Sequence, residues 1–169
     1  MDPKEKFKNN EVLQDIIKAI NYNNCFLVGG AVIDILEDRV PKDYDIIGYP
    51  EHKLKDLVNN DFKYICETKT AYTYLFKNKI IQFLKTDIKD FEYKISQSKY
   101  QFNNNILVYD EISFNEKILI PTTFNSSKIA KECLFRIPHY RRKGYDIHDM
   151  TFLSLLNIAL NSKKEKCES

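Results

Sequence analysis

The chain has 169 residues, enough for one domain or one domain with a small appendage. Its 43% hydrophobic and 13% aromatic content argues against a disordered chain. With 26 basic and 24 acidic residues the net charge is only +2, which excludes a nucleic-acid footprint argued from the total; such a surface must come from a local cluster.

The first twelve residues, MDPKEKFKNNEV, are charged and carry no apolar core, so no signal peptide is expected. No apolar run approaches the roughly 20 residues of a membrane span, and the reading is a cytoplasmic protein. Over 10–20, Val12, Ile16, Ile17 and Ile20 recur at helical spacing. The apolar run 24–28 (NCFLV) then predicts a strand ending in the Gly29–Gly30 turn. A short helix over 31–39 turns Val32, Ile35 and Leu36 inward, Pro41 closes it, and 43–49 (DYDIIGY) is a strand. Residues 52–60 are helix-like through Leu54, Leu57 and Val58.

Three strands are expected at 62–68, 71–77 and 79–86, with a tight hairpin at Asn78–Lys79. Strand-like pieces recur at 91–95 and 106–110. The tail reads as helices over 126–144, interrupted at Pro138 and capped at Gly144, and over 146–160. The order describes an α+β fold: a mixed sheet with helices on one face and a C-terminal helical extension. A head over residues 1–124 and a helical tail over 125–169, packed on the head, are the expected divisions.

Cys25, Cys66, Cys133 and Cys167 show neither CxxC spacing nor a nearby histidine, so they read as buried free thiols. His52, His139 and His148 are scattered and suggest no nucleophilic triad. Tyr72, Tyr74 and Phe76 alternate along one strand; such a row more often builds a buried face than a platform for stacked bases.

The informative stretch is 25–49, CFLVGGAVIDILEDRVPKDYDIIGY. Asp43 and Asp45, two apart on a strand, leave the same face. Two carboxylates that close are unfavourable unless a cation lies between them, and oxygen-only ligation favours Mg²⁺ or Mn²⁺. Upstream, Gly29 and Gly30 let a phosphate approach bare backbone where a helix begins. Either feature alone is commonplace. Together, within 25 residues, they describe a phosphate cradle opposite a divalent-metal clamp, an arrangement suited to attack on a nucleoside triphosphate.

Residues 27–47 resemble the head-domain signature of the CCA-adding enzyme and bacterial poly(A) polymerase family, within the polymerase β-like nucleotidyltransferases. Leu27, Val28, Gly29, Gly30, Val32, Asp34, Leu36, Asp43 and Asp45 fit its pattern. The resemblance implies metal ligation by Asp43 and Asp45, triphosphate contacts from Gly29 and Gly30, and an NTP substrate. Asp34 is implied to orient the glycine loop or the sugar. Weaker likenesses lie at 80–85, where the family carries a third carboxylate, at 90–97, near its ribose-discriminating motif, and at 134–147, near its first neck helix. The last two are also similar to small phage-type members that lack most of the C-terminal helical domain.

The chain departs from the pattern at several positions. Ile33 replaces the usual arginine, and Gln82 stands where Asp or Glu is expected; an amide cannot deprotonate an attacking hydroxyl. Asp87 is the alternative carboxylate, and Glu92, Phe91 and Ser96 replace members of the ribose motif. The chain ends where the family's base-selecting helical domain is expected to begin. A basic cluster at 139–144, with Arg136 one turn earlier among Leu134 and Ile137, reads either as a solvated helix end or as charge for RNA or triphosphate, with Arg136 and Arg141 the candidates.

The leading expectation is a metal-dependent nucleotidyltransferase that acts on an RNA 3′ end resembling that of tRNA, or on a protein hydroxyl. A degenerate nucleotide-, RNA- or protein-binding module is the alternative, and a scaffold acting through the helical tail is a third.

Overall fold

The computed structural model describes residues 1–20, 22–51, 54–57, 61–86, 98–121 and 126–167. The expected strand at 91–95, the ribose-motif positions, Asp87 and His52 lie outside the described residues. The chain divides into two compact units, one of residues 1–88 and 98–108, the other of residues 89–97 and 109–169.

The first unit opens with a helix that the sequence reading passed over, α1 (Pro3–Lys8). Asp2 caps it by accepting from the Lys4 N–H at 3.1 Å, and Pro3 occupies the first turn, where its missing N–H costs nothing. That Asp-Pro start is a legible signal. The helix matters because Phe7 is fully buried and stacks on Tyr100, centroids 4.6 Å apart. Next, α2 (Glu11–Ala19) is capped by Asn10, which accepts from the Leu13 N–H at 3.0 Å. Its inward residues are Leu13 and Ile16, followed by Ile20, whereas Val12 and Ile17 are only half-buried; the apolar stripe is rotated from the expected one.

Seven strands form one sheet in the order β3-β4-β5-β2-β1-β6-β7. They are β1 (Phe26–Val28), β2 (Asp43–Ile47), β3 (Phe62–Glu67), β4 (Ala71–Phe76), β5 (Lys79–Leu84), β6 (Lys99–Gln101) and β7 (Ile106–Val108). Between them lie α3 (Gly30–Leu36) and the single turn α4 (Leu54–Leu57). All pairings are antiparallel except β2 with β5, whose long connection through α4, β3 and β4 provides the crossover a parallel pair requires. The β4–β5 hairpin turns on Lys77 and Asn78, both at positive φ (45° and 63°), one residue earlier than expected. Positive φ at both positions matches the twist of the flanking strands.

One face of the sheet is the core. Leu27, Tyr44, Ile46, Ile81, Phe83 and Tyr100 alternate onto it and are essentially inaccessible, as are Val32, Ile35 and Leu36 of α3. Tyr74 and Phe76 are buried as expected, but Tyr72 is only half-buried and donates its hydroxyl to Glu51. Cys25 is buried, and its thiol is pushed up to about 12 by desolvation. Cys66 corrects the expectation of buried thiols: it is exposed on β3, an edge strand whose side chains beyond Phe62 face solvent. A register shift between Tyr64 and Cys66 interrupts that edge.

The second unit contains α5 (Glu111–Glu116), α6 (Ser127–Arg142) and α7 (Asp149–Cys167). The first of these was not anticipated, although Asp110 caps it by accepting from the Ser113 N–H at 2.8 Å. A short bridge joins Ile118 to Asp146. Ala130, Cys133, Ile137 and Tyr140 recur along the buried face of α6, and Ser127 Oγ donates to the Ala159 carbonyl of α7 at 3.1 Å. Contrary to expectation, α6 runs through Pro138 without a break. Pro138 is exposed, so water can satisfy the carbonyl that lost its donor, and packing of the helix's other face offsets a cost of ~3 kcal/mol. The expected Gly144 cap is present. Gly144 N–H donates to the Arg141 carbonyl (3.0 Å) and Tyr145 N–H to the Tyr140 carbonyl (3.1 Å), the paired bonds that close a helix through a residue at positive φ.

Candidate active site

The apolar strand β1 delivers the chain into a turn at Gly29, whose φ of 73° and ψ of −139° lie in a region that only glycine enters cheaply. Gly29 N–H donates to the Ser98 carbonyl at 3.2 Å, and Gly30 begins α3. On the neighbouring strand, Tyr44 and Ile46 point into the core, so Asp43 and Asp45 leave on the other face. Val28 pairs with Asp45 in register, which sets the glycine turn against the second carboxylate. A β-carbon placed on Gly29 would lie 3.8 Å from Asp45 Oδ2. No side chain at position 29 separates the turn from the carboxylate.

Asp43 is exposed and Asp45 half-buried, with its Oδ1 out of solvent. Two hard carboxylates on one face, one open to water, fit a divalent cation that keeps part of its hydration, as Mg²⁺ does. Among the described residues no cluster of three or more His, Cys, Asp or Glu forms a fuller metal site. The position beside Asp45 on β5 is Gln82, which pairs with it in register. Gln82 in turn pairs with Thr73 of β4. The fifth strand of this row is β6, absent from the sequence reading, where Lys99 pairs with Val28. One row across the sheet therefore reads Thr73, Gln82, Asp45, Val28, Lys99, all on the face of the two carboxylates. Lys99 is a residue that sequence reasoning missed; its strand has only three residues and carries no periodic signal.

The remaining candidates are placed differently. Asp34 accepts from Arg39 Nε at 3.2 Å, and Arg39 Nη1 also pairs with Glu37 Oε2 at 2.9 Å, fastening the end of α3. The Tyr44 phenol is pushed up to about 12, first by burial and then by the negative charge of Asp34. Asp34 thus lies near a core-facing side chain. Ile33 is buried in α3. Arg136 and Arg141 belong to the second unit; Arg136 is exposed on α6, not on its packed side, and Arg141 Nε pairs with Asp146 Oδ1 at 3.3 Å. His148 is exposed and accepts from the Phe152 N–H at 2.9 Å through its carbonyl, at the N-terminus of α7.

No protein-family profile matches the sequence, and no curated protein does. A Thermotoga maritima CCA-adding enzyme solved with tRNA superposes with a TM-score of 0.70 at 14% identity, over 95% of this chain and 44% of that one. The fold is that of the CCA-adding enzyme head. A CCA-adding enzyme with ATP matches at TM-score 0.61 and 16% identity, over 97% of this chain and 43% of the other. The Bacillus stearothermophilus CCA-adding enzyme with CTP matches at TM-score 0.60 and 13% identity, over 83% and 42%. The chain spans less than half the length of these structures. At such identities the likeness carries the fold alone, in agreement with the fold implied by the resemblance at residues 27–47. No described helix is long and apolar enough to cross a membrane.

Proposed function

We propose that the protein is a metal-dependent nucleotidyltransferase of the cytoplasm, moving a nucleoside monophosphate from an NTP to a hydroxyl and releasing pyrophosphate. The observation that carries this reading is the approach of the Gly29 turn to Asp45, 3.8 Å from a β-carbon position to Oδ2, with Asp43 on the same face. Its support is the shared fold with CCA-adding enzymes, some of which were solved with tRNA, ATP or CTP. A tRNA-like RNA 3′ end is the acceptor this favours, ahead of a protein hydroxyl.

Asp43 and Asp45 are the ligands for Mg²⁺ or Mn²⁺. Bound there, the cation would supply charge neutralisation for the entering and leaving oxygens. Gly29 and Gly30 admit the triphosphate to bare backbone because no β-carbon stands in the way. Asp34 acts through Arg39 to hold the end of α3, and so positions the turn. Gln82 can orient an acceptor hydroxyl by a hydrogen bond but cannot take its proton, which leaves through solvent. Arg136 and Arg141, in a tail over 125–169 distinct from a head over 1–124, supply positive charge for the RNA.

The neutral Gln82 beside Asp45 also favours a second reading, a nucleotide- or RNA-binding module without chemistry. Incubation with each α-labelled NTP, Mg²⁺ or Mn²⁺ and total RNA separates the two. Label moving to RNA or protein, and lost in an Asp43→Ala/Asp45→Ala double variant, is expected for the transferase. Binding of nucleotide without transfer under any metal would leave the module.

A further inference from the structure

We propose that Lys99 is a phosphate-contacting residue of this site, one that replaces the positive charge missing at Ile33. The inference rests on the nucleotidyltransferase reading and deepens it.

Lys99 pairs with Val28, and Val28 pairs with Asp45, so all three side chains leave the same face of the sheet. Two strand spacings, about 10 Å, separate the lysine and aspartate backbones. The strand directions place the lysine at the correct end. Strand β1 runs from Phe26 to Val28 and empties into the Gly29 turn, while β6 runs antiparallel to it and begins at Lys99. The residue before Lys99 is itself tied to the turn, since the Ser98 carbonyl accepts from Gly29 N–H at 3.2 Å. The glycine turn is thus flanked by Asp45 on one side and by Lys99 on the other.

A polyphosphate held at Asp45 through a cation, and lying along the bare Gly29 backbone, extends toward Lys99. The half-buried lysine has a four-carbon stem, long enough to cross the distance left by the Val28 side chain between them. The ammonium would bear on the phosphates remote from the metal-bound one. The site then has an acidic metal-holding half on β2 and a basic phosphate-holding half on β6, divided by the turn. The hydrophobic Ile33, buried in α3, offers no charge to compete for that role.

The test uses inorganic tripolyphosphate with Mg²⁺ as the probe, followed by calorimetry and by the shift in melting temperature, on the full chain. Lys99→Met keeps the aliphatic bulk and removes the charge; Lys99→Gln serves if the methionine variant does not fold. The expected result is a loss in affinity of about 10-fold to 100-fold, a shallower dependence on salt, and recovery in Lys99→Arg. An unliganded melting temperature close to wild type separates this from a packing defect. If wild type and Asp45→Asn differ in binding while Lys99→Met matches wild type, the role of Lys99 is overturned and the metal-site reading stands. If wild type itself binds no tripolyphosphate with Mg²⁺ or Mn²⁺, both are overturned.

Discussion

Gln82 stands beside Asp45 across the one parallel strand pairing among the described residues of the sheet, β2 with β5. The pairing puts a neutral amide where one more carboxylate would complete the proposed metal site. The side chain two residues from it on either side along β5 is apolar (Ile80 and Leu84), so no neighbouring acid on that strand shares the face.

Gln82→Glu therefore tests both function readings. For a transferase, a carboxylate beside Asp45 supplies a general base and raises label transfer by about 10²–10⁴-fold. Without metal, the added like charge lowers the melting temperature, and Mg²⁺ restores it by more than in wild type. An unchanged response to Mg²⁺ in both proteins would remove the metal site from the argument.

Two glycines are expected to differ on substitution. Gly29→Ala meets backbone strain of about 1–3 kcal/mol but no steric overlap, since its nearest neighbour is Asp45 Oδ2 at 3.8 Å. Gly48→Ala meets strain at a φ of 88° and an overlap as well, with the Asn24 carbonyl oxygen 2.8 Å from the new carbon and the Phe26 ring at 3.1 Å. Urea unfolding should show Gly48→Ala as the more damaging of the two. Nucleotide binding should instead be lost more in Gly29→Ala when both are compared at equal folded fraction.

Phe7→Ala removes the ring that stacks on Tyr100 and the only buried side chain of α1. The expected loss is about 3–5 kcal/mol in chemical denaturation. A loss under 1 kcal/mol would mean that α1 undocks at little cost and contributes little to the first unit.

Asp146 gives a pH dependence of defined sign. Its carboxyl is held below the ordinary value of 3.8, first by the Ile147 N–H at 2.8 Å and then by Arg141. A folded-state value below the unfolded one contributes stability above the unfolded value, lost as pH falls through the folded one. Asp146→Asn should melt below wild type at neutral pH, and the two curves should converge in acid below the ordinary aspartate range of about 3.9. Equal melting temperatures at pH 7 would show that the charge contributes nothing to the second unit.

Much of the site was legible because its signals are local. The Gly29–Gly30 turn, the alternation that sets Asp43 and Asp45 on one face, and the run of strands from 62 to 84 follow from backbone sterics and a period of two. The Gly144 cap is equally local. Pro138 misled because the cost of a proline within a helix depends on whether the freed carbonyl reaches water, and the linear order does not record which side of α6 is exposed. Helix α1 and strand β6 were missed because each is only a few residues long; Phe7 and Tyr100 earn their places by meeting each other across more than 90 residues of chain.

The sequence by itself determined that a bare turn and two carboxylates occur together, since both depend on residues close in the chain. Only the tertiary structure decided which side chains share their row. Strand order and register place Gln82 and Lys99 there, and these are set by pairing between segments far apart, where a slip of one residue would turn each side chain to the opposite face.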